Sequence, residues 1–216
     1  MAVVGIVPAA GRGERLGAGV PKALAPCAGR PLLEWSLEVL EGVCDRVVVA
    51  VAPGEPLGPD RVRGGEVRSE SVRAALAAAP EARIAVVHDA ARPLVTRELV
   101  EACVAAVGGG GWDGAVAAAP VSDTVKEVAA GGRVERTLDR RSLWAVQTPQ
   151  AFRADVLRRA LGAGAAALAA ATDDASLVEA IGGVVGVVES SPENIKVTRE
   201  IDLLLAEELL RARAAC

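Results

Sequence analysis

The stretch AVVGIVPAAGRGERLGAGVPK, residues 2–22, runs from a strand-like segment into a glycine-rich turn. Ala2–Val7 is continuously apolar and valine-rich, the pattern of a strand buried on both faces. A glycine-rich turn directly after the first strand of an α/β sheet suits phosphate: bare backbone N–H groups converge on an anion, and glycine allows close approach. Four more runs of the same kind follow, at Arg46–Ala52, Arg83–His88, Asp113–Ala119 and Val184–Glu189. Helical patterns lie between them at Pro31–Leu40, Ser69–Ala79, Thr96–Val107, Ala154–Ala170 and Thr172–Ile181, and Arg199–Arg213 closes the chain. Pro31 suits a first helical turn, and Thr96 suits an N-cap. Strand and helix in alternation predict an α/β fold with a mainly parallel sheet.

Composition sets outer limits. The 216 residues are expected to form one domain, 1–216, with an excursion inside it. Half are apolar (51%), which excludes a disordered chain, and most of those are small: 44 Ala and 32 Val against one Phe, three Trp and no Tyr. A net charge of −4, no dense basic run and few aromatics argue against nucleic-acid binding. No uninterrupted apolar stretch is long enough for a membrane span, and the first apolar run lacks the basic lead of a signal peptide. Cys27, Cys44, Cys103 and Cys216 show no C-x-x-C spacing, so a cytoplasmic protein with reduced thiols is expected.

One segment, 120–150, breaks the alternation. Thr124–Val128 and Arg133–Leu138 flank Ala129-Ala130-Gly131-Gly132 and read as a β-hairpin. A lone hairpin is marginal in water, so it is expected to pack on something, a second subunit included.

Three loops carry candidate chemistry. Gly11, Gly13 and Gly17 fit neither a Walker A loop nor G-x-G-x-x-G, yet with Arg12, Arg15 and Lys22 they make a loop suited to a polyphosphate. The glycines alone fit a solvated loop equally well. Lysine sharpens the reading: 21 of the 24 basic residues are Arg, and Lys22 and Lys196 fall in loops rich in Gly, Pro, Ser and Asn. A compact ammonium suits a crowded phosphate whose oxygens change geometry. HDAARPLV, residues 88–95, sets Asp89 at a strand's carboxyl end, where α/β proteins bind ligands. It can hold Mg²⁺ or a ribose hydroxyl, or cap a turn, while Arg92 can reach a phosphate. His88 reads as a core histidine, and one His without a Ser or Cys partner gives little support for triad hydrolysis. In GGEVRSES, residues 64–71, Ser71 reads as a helix-start cap or as a contact for a pyrimidine edge.

Taken together, PAAGRGERLGAGVPKAL, GGEVRSESV, HDAARPLV, APVSDTVKEV, LDRRSLWAVQTPQAF, TDDASLVE and ENIKVT resemble the 2-C-methyl-D-erythritol 4-phosphate cytidylyltransferases of the non-mevalonate isoprenoid pathway. The resemblance covers nearly the whole chain. It implies a Rossmann-like nucleotidyltransferase fold, and a protruding β-arm that hooks a homodimer matches the hairpin. It further implies that Ala9, Ala10, Gly11 and Gly13 belong to a CTP-binding loop, and that Gly65, Ser71 and Asp89 contact the nucleotide. By the same likeness Arg15, Lys22 and Lys196 are catalytic, and Asp89 is the residue near Mg²⁺. Arg92, Thr124, Arg140, Thr148, Thr172 and Thr198 fall on positions of the methylerythritol phosphate pocket. Val20 and Ala23 depart from residues common in the family.

The expected reaction is attack of a substrate phosphate oxygen on the α-phosphorus of CTP, with Mg²⁺ as cofactor and pyrophosphate leaving. A phosphate monoester reaches the site largely as a dianion, so no general base is needed. A cytidylyltransferase for ribitol 5-phosphate or another polyol phosphate is the alternative, set second on the LDRRSLWAVQTPQAF and TDDASLVE stretches. A non-catalytic nucleotide-binding module would need fewer placed charges than Arg15, Lys22, Asp89 and Lys196 together.

Overall fold

The computed structural model describes residues 2–11, 21–109 and 111–214. All five apolar runs form strands: β1 (Val3–Pro8), β4 (Arg46–Val51), β6 (Ile84–Val87), β7 (Gly114–Pro120) and β11 (Val185–Glu189). With β5 (Arg61–Arg63) and β10 (Trp144–Arg153) they build a seven-stranded sheet in the order β11-β7-β10-β6-β1-β4-β5. Every pairing is parallel except those of β10, which runs antiparallel to both β6 and β7.

The inner parallel strands β1, β4, β6 and β7 are apolar almost throughout because both faces are covered, whereas the edge strand β11 leaves Val187 exposed and the edge strand β5 is Arg-Val-Arg. Alternate side chains feed two cores. Val4, Ile6, Val48, Ala50, Ala85 and Val87 point to one, against α2 (Arg68–Ala77), α4 (Ala154–Ala160), α5 (Ala165–Ala170) and α6 (Asp174–Ala180). Val7, Val47, Val49, Ile84 and Val86 point to the other, against α1 (Leu32–Glu41) and α3 (Arg97–Gly109). Thr96 caps α3 through its side-chain oxygen, 3.3 Å from Leu99 N. The small alanines let helices sit close on the sheet, and the few large side chains fill gaps left by glycine. A Cβ on Gly114 would lie 2.5 Å from a ring carbon of Phe152, the one Phe, which is fully buried. A smaller apolar cluster docks α7 (Glu200–Ala214) on the hairpin of β2 (Pro26–Cys27) and β3 (Arg30–Pro31).

The expected hairpin forms as β8 (Lys126–Val128) and β9 (Val134–Thr137), an antiparallel pair of exposed residues with Gly131 and Gly132 at positive φ. Two expectations need correction. Ala154–Ala170 is two helices, α4 and α5, because Gly162 and Gly164 interrupt the pattern after Leu161. The ten-residue β10, central in the sheet, has no strand pattern in the sequence, since QTPQ (147–150) is polar and contains proline. Its register shifts between Val146 and Gln150, so Pro149, which has no N–H to give, stands where the ladder is already broken.

From β1 the chain builds outward through β4 and β5, then returns to the far side of β1 at β6. The strand order therefore reverses between β1 and β6, the arrangement that leaves a crevice at the carboxyl ends of these strands.

Candidate active site

A cleft of about 600 Å³ opens at that crevice. Ala9, Ala10 and Gly11 form one wall, Gly65 and Ser71 another, and Lys22, Asp89, Lys196 and Thr198 project on it. The structure thus gathers four separate sequence motifs around one space. Arg15 and Gly13 lie outside the described residues.

Each wall has a local cause. After β1, Ala9 N donates to Ala50 O at 2.8 Å, keeping the chain beside β4 before it turns away. Gly64 follows β5 and passes so near that a Cβ would lie 2.4 Å from the Ala10 methyl, so only glycine fits. Ser71 is not the helix cap. Its hydroxyl accepts from Gly65 N at 3.1 Å and fastens the glycine pair to α2. Glu70 completes the turn by accepting from Glu66 N at 3.0 Å.

Asp89 sits at the end of β6 and is almost fully buried. Lys196 Nζ lies 2.6 Å from its Oδ2, and Arg68 Nε lies 3.0 Å from its Oδ1. Burial works against the carboxylate, but Arg68 and Lys196 outweigh it and hold the group well below the usual carboxylate range. Arg68 Nη1 also reaches Asp174 Oδ2 at 2.6 Å. Asp174 is wholly buried, and burial raises its pKa although Arg68 opposes the shift. Neither Arg68 nor Asp174 stands out in the sequence. Each looks like one more charge near a helix start.

Behind the cleft lies a buried polar network. His88 Nε2 faces Arg92 O at 3.2 Å, so that nitrogen carries the proton, and Nδ1 accepts from the Thr148 hydroxyl at 3.1 Å. Burial lowers the imidazole to about 4, leaving it neutral. Thr148 also accepts from Asp89 N at 3.1 Å, which fixes the backbone that carries the carboxylate. Asn194, two residues before Lys196, donates to Gln147 Oε1 at 2.8 Å and to Thr148 O at 2.9 Å. Arg92 Nη1 donates to Asn194 O at 2.7 Å. The chain's one Asn, one His and both Gln thus gather where β10 meets the loops of Asp89 and Lys196. Their scarcity is the signal the sequence offers.

The remaining candidates stand apart from the cleft lining. Thr148 and Arg92 lie behind Asp89, Thr124 and Arg140 are exposed at the base of the hairpin, and Thr172 is exposed just before α6. The Arg140 guanidinium donates to Ser122 O.

Among the described residues no three His, Cys, Asp or Glu cluster as a metal-binding set. Mg²⁺ is commonly held by one or two carboxylates together with waters and substrate phosphates, so the Asp89 carboxylate, beside a cleft large enough for a small-molecule substrate, fits it.

A family model described as IspD: 2-C-methyl-D-erythritol 4-phosphate cytidylyltransferase matches residues 3–212. The chain belongs to this family. Proteins named 2-C-methyl-D-erythritol 4-phosphate cytidylyltransferase are similar throughout: that of Frankia casuarinae is 49% identical over 96% of this chain and 81% of its own length. That of Saccharopolyspora erythraea is 47% identical over 97% and 100%. The crystal structure of 2-C-methyl-D-erythritol 4-phosphate cytidylyltransferase from Thermus thermophilus superposes with a TM-score of 0.81 at 38% identity, covering 98% of this chain and 100% of that one. Membership in this family gives the chain a cytidylyltransferase activity.

Proposed function

We propose that this chain transfers CMP from CTP to 2-C-methyl-D-erythritol 4-phosphate, releasing pyrophosphate and forming 4-diphosphocytidyl-2-C-methyl-D-erythritol for isoprenoid synthesis. The observation that carries the reading is the convergence of Lys22, Lys196 and Asp89, from three separate loops, on one cleft at the switch point of the sheet.

A phosphate oxygen of the polyol substrate forms the new bond to the α-phosphorus, and the bond from that phosphorus to the β-phosphate oxygen breaks. The nucleophile is already anionic, so no residue takes a proton from it. The protein's task is to hold two anions in line and to stabilise charge on a crowded phosphorus. Ala9, Ala10 and Gly11 offer backbone to the triphosphate, with Gly13 and Arg15 continuing that loop in the proposal. Gly65 and Ser71 face the base. Lys22, Arg15 and Lys196 carry the positive charge toward the reacting phosphates. Asp89 would hold Mg²⁺ together with CTP oxygens; when bound, the ion supplies Lewis-acid neutralisation of the triphosphate.

Arg92, Thr124, Arg140, Thr148, Thr172 and Thr198 are assigned to the polyol phosphate side. Thr148 would act from behind, through Asp89. Thr124 and Arg140 sit on the arm, so we assign them to a neighbouring copy's cleft in a homodimer. Exposed Val128 and Val134 on the arm, with Trp144 and Val146 beside it, support that docking. No helix among the described residues is long and apolar enough to cross a membrane, and we assign the enzyme to the cytoplasm.

The test is phosphorus NMR of a reaction containing the chain, CTP, Mg²⁺ and 2-C-methyl-D-erythritol 4-phosphate. A pyrophosphate diester should appear with free pyrophosphate. Persistence of CTP and the monoester, with folded protein present, contradicts the reading.

A further inference from the structure

Among the described residues Arg68 is the one guanidinium in the cleft lining, and the chemistry above assigns it no part. From the first position of α2 it reaches in two directions at once, with Nε 3.0 Å from Asp89 Oδ1 and Nη1 2.6 Å from Asp174 Oδ2. Asp174 is at the start of α6, far along the chain, and is fully buried, with no hydrogen-bond partner for Oδ1 among the described residues. It does not line the cleft. A buried ion pair is a poor device for stability alone, because packed apolar residues of similar volume often do as well or better. What this pair does accomplish is geometric. It occupies Asp89 Oδ1, so the second oxygen, Oδ2, is the one that takes the Lys196 ammonium, 2.6 Å away.

We propose that Arg68 and Asp174 are positioning residues that fix the Asp89 carboxylate, so that it meets an incoming cation or substrate through Oδ2 alone. The planar fork of arginine spans both carboxylates, and a lysine ammonium cannot reproduce that span. Residues that orient a metal-holding carboxylate typically matter by about 10–100-fold when removed. The inference rests on the cytidylyltransferase reading, so wild-type pyrophosphate release in the same assay tests that reading separately.

The experiment compares wild type, Arg68→Lys and the double variant Arg68→Met/Asp174→Leu, which removes the buried pair together. Melting temperature, kcat, the KM for CTP and calorimetric affinity for CTP with and without Mg²⁺ are measured. The expected result is a double variant that melts near the wild-type temperature. Its kcat should fall by about tenfold or more, and the Mg²⁺-dependent gain in CTP affinity should shrink. Arg68→Lys should show the same losses at unchanged fold. Wild-type kcat and metal linkage in the double variant would overturn the proposal, as would full rescue by Arg68→Lys. A rise in the KM for CTP alone would make Arg68 a nucleotide contact and overturn it as well. If the double variant does not fold, Arg68→Lys decides by the same criteria.

Discussion

Lys196 Nζ and Asp89 Oδ2 are 2.6 Å apart, joining the loop before α7 to the end of β6, 107 residues away in sequence. The lysine side chain is 41% exposed and the aspartate 11%, so the pair presents its cationic end to the cleft. Lys196→Ala leaves the buried Asp89 paired with Arg68 alone, so the fold should stand with a lowered melting temperature while turnover falls by about 10²–10³, the scale of losing one donor to transition-state charge. Steady-state pyrophosphate release and a thermal melt on the same sample check both halves.

The approach of Gly64 to Ala10 leads to a second expectation. Gly64→Ala places a methyl 2.4 Å from the Ala10 methyl and 2.9 Å from Ser71 Oγ, forcing apart the two walls of the cleft. CTP affinity should fall with the fold retained, read by calorimetric titration with CTP alongside circular dichroism. Unchanged affinity would mean that the cleft walls do not both contact the nucleotide.

Acid stability follows from His88, which burial holds at about 4 against about 6.5 in an unfolded chain. Because the folded value is depressed, the unfolded state takes up the proton first. Stability is complete above about pH 6.5 and is lost as pH falls toward 4, by on the order of 3 kcal/mol. Asp89, also depressed, adds a loss in the same direction below the ordinary carboxylate range. Denaturant midpoints between pH 7 and 4.5 should fall more steeply for wild type than for His88→Asn. Parallel profiles would contradict a neutral buried imidazole.

The framework of the sheet was legible because β1, β4, β6, β7 and β11 are apolar on both faces, a pattern few other structures produce. The central β10 was not, since Gln147, Thr148 and Gln150 serve the polar network behind the cleft, and a strand that gives its side chains to a site loses its strand signature. The same reason hid Arg68 and Asp174, since the guanidinium's two carboxylate partners lie 21 and 106 residues away in sequence. Lys22 and Lys196 were legible only against an arginine-rich background. Thr124 and Arg140 could be placed on the hairpin, but their contacts depend on what covers it.

The arm offers a fourth prediction. Val134→Asp puts a charge on an exposed apolar residue that touches no core, so the fold should stand. If the arm docks a second copy, light scattering should report a shift from dimer to monomer and turnover should drop with it. A dimer that persists unaltered would remove Val134 from the interface.

Pyrophosphate release with CTP and Mg²⁺ across a panel of polyol phosphates decides the activity. The highest kcat/KM is expected for 2-C-methyl-D-erythritol 4-phosphate, with loss of that release in Lys22→Ala. Preference for ribitol 5-phosphate, or CTP binding with no pyrophosphate from any member of the panel, would contradict that activity.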